Sequence, residues 1–257
     1  MSFPSFNLLA QSILSGIFIG GLYGLIGLGL GLTWGLLRQI NLSHFGLVFL
    51  AAYMSYHMAT VWHVDPLLTL LILPPLFFAF GVGMQWVLAR FQISPFNSLL
   101  VTFGIAVVIE SLIQAVWTSD FRRLETHYND MKFSVGPLYV PIPELLTLLL
   151  SLSIALLIWA AMRYTDLGKA LRATAVNRVG ARLVGIRPAR TALMAYACAS
   201  LLAGMIGVLI APVTTMYYDS GFIIGLKAFV AAIIGGLVSY PVTAVGALSV
   251  GLVESFA

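Results

Sequence analysis

Few side chains in this sequence are equipped for chemistry, and most of those stand inside long apolar runs. Asn41, Ser43 and His44 interrupt the first run. A serine beside a histidine carries the atoms of a nucleophile and its base, and a histidine at membrane depth carries those of a proton relay. Glu110 lies in a later apolar run with Gln114 four residues on, so the two share one face of a helix. A carboxylate at that depth costs about 2.5 kcal/mol or more to insert and must face protein or water. Gly168-Lys169 resembles the tail of a phosphate-binding loop, but Ala170 follows it and no glycine precedes it at the needed distance. The four histidines are scattered, no zinc-protease motif occurs, and no paired carboxylates stand out within a span. Nothing here hydrolyses ATP, so any energy coupling must arrive from another chain.

The other chemically marked stretch is Arg163 to Arg190. It holds seven of the thirteen Lys and Arg residues (Arg163, Lys169, Arg172, Arg178, Arg182, Arg187 and Arg190) against one acid, Asp166. Apolar runs flank it on both sides, so it is a loop between membrane spans, and its basic excess places it in the cytoplasm. Leu167, Leu171 and Ala175 recur at a spacing of four; beyond Asn177, a helix-cap residue, Val179, Leu183 and Ile186 repeat at four and three. Gly185 suits the end of the second helix and Pro188 the first turn of the next span. Two short amphipathic helices with basic outer faces are expected at the inner surface. They either fix topology and rest on anionic lipid, or dock a cytoplasmic partner with the apolar residues as plug and arginine as rim.

The elements that position these residues follow from composition. The chain has 257 residues, of which 60% are hydrophobic and 9% charged, whereas a soluble domain has roughly a quarter charged. It is therefore polytopic, with about 20 apolar residues to a span. The net charge of +4 is concentrated in one inner loop, which argues against nucleic acid as a partner. Cys198, the lone cysteine, excludes an intrachain disulfide and reads as packing. The first apolar run has no basic leader and is too long for a signal peptide.

In order, the spans expected are Leu8–Leu36, Phe45–Trp62, Leu67–Ala89, Ser98–Thr118, Glu144–Met162 and Thr191–Ala211. Gly16, Gly20, Gly24, Gly27, Gly31 and Gly35 form one stripe on the first, which marks it for close central packing. The polar break Arg38–Gly46 is tolerated at membrane depth only where protein or water covers it. Asn41, Ser43 and His44 thus line a solute path or form a satisfied turn that caps the next helix. Glu110, likewise, serves transport or a structural hydrogen bond. His63–Pro66 is a tight outer turn, Pro74-Pro75 kinks the third span, and Pro95 starts the fourth helix. Residues 119–143 form an outer loop whose charges cancel, Asp120, Glu125 and Asp130 against Arg122, Arg123 and Lys132, and Pro137, Pro141 and Pro143 stiffen its exit. Pro212–Gly225 is a further outer connection. Leu226–Ala257 is too short for two full spans and is interrupted at Gly235-Gly236 and at Ser239-Tyr240-Pro241. Such broken helices border the translocation path or form a re-entrant hairpin packed for shape. The fold class expected is all-α: a polytopic inner-membrane bundle of about eight segments, some short or broken, in a single domain without a sizeable soluble part.

Three stretches then carry a family resemblance. They are Leu167–Ala173 with Ala181–Ile186, Gln39–His44, and Ala228–Gly236 running on to Gly251–Glu254. Lying in order along the chain, they resemble the permease subunits of branched-chain amino acid ABC importers, and they span most of the chain. The resemblance implies a multi-pass protein of the bacterial inner membrane with no cofactor of its own, ATP being bound by partner subunits. Those partners are a second permease subunit, two cytoplasmic ATPases and an outer solute-binding protein. The ATPase-coupling positions implied are Leu167, Gly168, Leu171, Arg172, Asn177, Arg178, Ala181, Arg182, Leu183, Gly185 and Ile186. The candidate path positions, read from the residues themselves beside the structural alternatives above, are Asn41, Ser43, His44, Glu110, Gln114, Gly235 and Gly236.

This sequence departs from the family pattern at Phe45, which separates His44 from Gly46, and at Val238, Val242 and Ala247, where glycine is usual. Relatives generally continue through one more apolar segment after Ala257, so a C-terminal segment is expected to be missing. Immediate entry into the membrane resembles the shorter of two paralogous subunits and favours a heterodimeric pore. The solute remains open among branched-chain amino acids, urea, amides and aromatic acids. Two readings from other classes stand beside this one. One is a stand-alone carrier or channel that uses Glu110 or His44; the other is a membrane hydrolase that uses Ser43 and His44, residues whose adjacency disfavours nucleophile–base geometry.

Overall fold

The computed structural model of the chain describes residues 6–126, 132–136, 138–236 and 240–256. Its helices are α1 (Phe6–Leu37), α2 (Ser43–Val61), α3 (Pro66–Arg90), α4 (Pro95–Trp117), α5 (Ile142–Tyr164), α6 (Asp166–Val176), α7 (Arg178–Leu183), α8 (Pro188–Ile210), α9 (Ser220–Ile234) and α10 (Tyr240–Phe256). Five of them, α1, α3, α4, α5 and α8, are long and apolar enough to cross a membrane. With α2 and the shorter α9 and α10, this is the polytopic helical bundle that composition demands.

α2 is absent from those five because it carries polar residues. It can do so because it is enclosed: Ser43, His44, Tyr53 and Ser55 are all buried within the protein. α1 is also central, packed chiefly against α10, α8 and α9. Its glycine stripe meets α10 backbone to backbone. A Cβ at Gly16 would stand 2.8 Å from the Leu252 Cα, and one at Gly20 2.8 Å from the Leu248 Cα. Gly24 faces Ala247, one of the positions where the family has glycine, at an ordinary 3.4 Å, so alanine is accommodated there. α3 and α8 pack against each other, where Gly81 admits Ser200 and Gly204 admits Pro74 and Phe77. α3 continues unbroken through Pro74-Pro75.

The structure adds a short sheet to the helices. Within the outer loop, β1 (Lys132–Val135) pairs antiparallel with β2 (Leu138–Pro141). The Gln11 side chain bonds both backbone groups of Tyr139, at 2.9 and 3.1 Å, and so pins the start of α1 to β2. Arg122 pairs with Met216 through the backbone, and its guanidinium reaches the Tyr56 hydroxyl at 3.4 Å and the Trp117 carbonyl at 3.1 Å. That bond to Tyr56 raises the Arg122 pKa above its ordinary value, so this outer brace stays charged. The outer connection before the last hairpin ends earlier than Gly225, since α9 begins at Ser220. Gly221 and Gly225 are contact points in a helix rather than breakers: they receive the Phe49 and Phe45 rings of α2. Pro137, Val238, Ser239 and Asp130 lie outside the described residues.

Candidate functional site

The inner segment is built as two capped helices. Thr165 accepts the Gly168 N–H at 3.1 Å to start α6. Asn177 ends α6 and starts α7, its side-chain oxygen accepting the Val179 and Gly180 N–H groups at 3.0 and 2.9 Å. Gly185, at φ 85°, takes the left-handed turn that ends α7, and α8 begins at Pro188.

The inward face of α6 differs from the spacing-of-four reading. Gly168, Leu171 and Thr174 are buried, whereas Leu167 and Ala175 are exposed. Two contacts select this face. Gly168 sits so close to Met162 that any Cβ would collide with its backbone, and Thr174 meets the Thr191 hydroxyl at 3.3 Å. Leu171, 2% exposed, closes one wall of an apolar cavity of about 240 Å³ that Leu32, Met162, Cys198 and Leu202 also line. It is therefore an internal anchor and not an exposed plug.

The basic residues divide in the same way. Arg172 donates to the Met162 carbonyl, and at 3.4 Å to that of Arg163, so it closes the C-terminal end of α5. Arg178 donates at 3.2 Å to the Leu37 carbonyl at the end of α1. These two guanidinium groups fasten the segment to the bundle although both residues stay exposed, and Ala181 beside them is buried. What remains outward is apolar and basic together: Val176, Val179, Leu183 and Val184 are 88%, 67%, 84% and 74% exposed, with Arg182 among them. Ile186 is half-buried.

The expected path residues are not one cluster. Asn41, Ser43 and His44 are buried, and the Ser43 hydroxyl donates to Asn41 Oδ1 at 2.6 Å. Leu42 N–H donates to the Thr102 hydroxyl at 3.2 Å, which covers the turn with α4. The His44 imidazole lies against Gly29, where any side chain would strike it, with the Ile26 carbonyl as the polar group beside it. Serine and histidine thus point to different neighbours, and no nucleophile–base pair forms between them. Glu110 is half-buried and lines a recess of about 200 Å³ with Asp219, Phe103 and Phe222, while Gln114 is exposed and bonds Ser119 at 2.9 Å. Gly235 caps α9 and Gly236 turns at φ 71°, which is the break expected there.

One ionic group goes unmarked in the reading of the sequence. Lys227 of α9 pairs with Glu254 of α10, and the Tyr23 hydroxyl of α1 donates to the other Glu254 oxygen at 2.6 Å. The available signal is a lone lysine in the otherwise uncharged stretch Ser220–Ile234.

Comparison with known proteins agrees with this architecture. Residues 12–257 match the family described as branched-chain amino acid transport system / permease component. The high-affinity branched-chain amino acid transport system permease protein LivH of Escherichia coli is 24% identical over 267 residues, covering 95% of this chain and 84% of its own length; LivH of Salmonella typhimurium gives the same figures. The corresponding permease protein BraD of Pseudomonas aeruginosa is 21% identical over 265 residues, covering 96% and 85%. No solved structure matches. With several membrane-capable helices and a family match over nearly its whole length, the chain is a multi-pass inner-membrane protein that belongs to the permease component family of branched-chain amino acid transport systems.

Proposed function

We propose that this chain forms one half of the solute path in an ATP-driven importer of branched-chain amino acids, and that α6 and α7 are where cytoplasmic ATPases grip it. The observation that carries this reading is the outward surface of Val176, Val179, Leu183 and Val184 with Arg182. Apolar side chains this exposed on short inner helices need a covering partner. The helices are also fastened mechanically, Arg172 to the end of α5 and Arg178 to the end of α1, so a push delivered to them reaches the bundle.

The companions in this reading are a second permease subunit, two ATPases and an outer solute-binding protein. The family supplies the solute class; the binding protein does much of the selecting. The test is Leu183→Asp in the assembled importer, with ATPase recovery and leucine uptake measured. Both are expected to fall together, and unchanged recovery with unchanged uptake would end the docking reading.

A further inference from the structure

The Tyr23–Glu254–Lys227 group lies within the membrane-spanning part of the bundle, where charge is costly. Along α1, Tyr23 stands twelve residues from Gln11, which bonds the outer hairpin, and fourteen from Leu37, which Arg178 holds at the inner end. At 1.5 Å per residue that is about 18 and about 21 Å, and Leu252 and Ser255, which flank Glu254, lie against Gly16, so the group reaches from mid-span at Tyr23 into the outer half of the hydrocarbon core. Lys227 and Glu254 are the only charged residues in α9 and α10. Their side chains keep 41% and 31% of their surface. Charge left open at this depth must face water or another chain rather than lipid. One turn to either side of Lys227 on α9, Ile223 and Val230 are 51% and 50% exposed, so the charged pair opens onto an aliphatic surface.

We propose that Lys227 and Glu254 handle the solute on its path by exchanging their mutual ion pair for contacts with a zwitterionic aliphatic amino acid. The solute carboxylate takes the Lys227 ammonium, the solute ammonium takes the free face of Glu254, and Tyr23 holds Glu254 in place throughout. One internal pair opens and two cross pairs form, with no proton moved and net charge conserved at each stage. An uncharged solute has no differential attraction with which to open the pair, and a solute of one net charge leaves a member unmatched at low dielectric. Ile223 and Val230 then meet the branched side chain. This inference rests on the amino-acid import reading above.

The test uses the complete importer, with its companion permease, ATPases and binding protein, in proteoliposomes loaded with ATP and supplied with leucine. The double variant Lys227→Met/Glu254→Gln removes both charges and leaves neither unpaired, so assembly and ATPase activity are expected to persist. Leucine uptake is expected to fall on the order of tenfold or more, the loss of about one charge-assisted contact. Uptake by the double variant at the wild-type rate overturns the proposal. If the double variant does not assemble, Tyr23→Phe decides: reduced uptake in an intact complex supports the exchange, and wild-type uptake overturns it. No uptake by the wild-type importer overturns the import reading and this one together; equal uptake by wild type and double variant overturns only the role of the pair.

Discussion

Leu171 and Leu183 belong to the same inner segment and face opposite ways: Leu171 is 2% exposed against the bundle, and Leu183 is 84% exposed on the far side of α7. The first fastens the segment and the second offers it. The two leucines therefore predict separable phenotypes. Leu171→Ala opens a void beside the cavity lined by Met162 and Cys198 and is expected to destabilise by about 2 kcal/mol or more, read as a lower melting temperature in detergent. Leu183→Asp is expected to leave that temperature within a degree or so of wild type while ATPase recovery is lost, because a solvated position tolerates charge.

Asn177 serves two helices at one point, so its replacement should loosen α7 without unfolding the chain. Asn177→Ala removes the acceptor for the Val179 and Gly180 N–H groups and is expected to cost about 1 kcal/mol. Faster hydrogen exchange confined to residues 178–183 would show it, and Asn177→Asp should restore protection.

Gly16 and Gly20 are where α1 and α10 come closest. Gly20→Leu would drive a side chain into the Leu248 backbone and is expected to cost about 1–3 kcal/mol by overpacking, measured as a lower folded yield. Gly83 has open space around it, and Gly83→Leu should be silent apart from helix propensity.

On the outer side, Arg122→Met removes the contacts with Tyr56 and Trp117 but leaves the backbone pairing with Met216. Protease cutting near residues 118–126 is expected to rise. The same brace should hold from neutral to strongly alkaline conditions, because a raised guanidinium pKa keeps the positive form, and its stabilisation would be lost only above that pKa.

How far the sequence could be read depended on which signal a residue carried. Turn and cap chemistry is local, so Asn177, Gly185, Pro188 and Gly235-Gly236 fall where sequence alone places them. Faces are set by distant contacts. Gly168 and Thr174 are not apolar, so a hydrophobic period could not identify them as the inner face of α6; backbone approach to Met162 and a hydroxyl pair with Thr191 decided it. Gly221 and Gly225 suggest a loop for the same reason, until the Phe49 and Phe45 rings give each a cause to be glycine. The β1–β2 hairpin is only four residues a strand, too short for alternation to be distinguished from a Pro-rich loop. Lys227 and Glu254 are twenty-seven residues apart, and only the folded hairpin shows that they pair.

The inner segment is slung between two unlike neighbours. α5, which leads into it, is mostly uncovered within the chain, whereas α8, which leaves it, is mostly buried. Displacing α8 would break its packing in the core, whereas α5 has few contacts within this chain to lose on tilting. Under the proposed coupling, a force applied to α6 and α7 would move α5, tied to them through Arg172, more readily than α8.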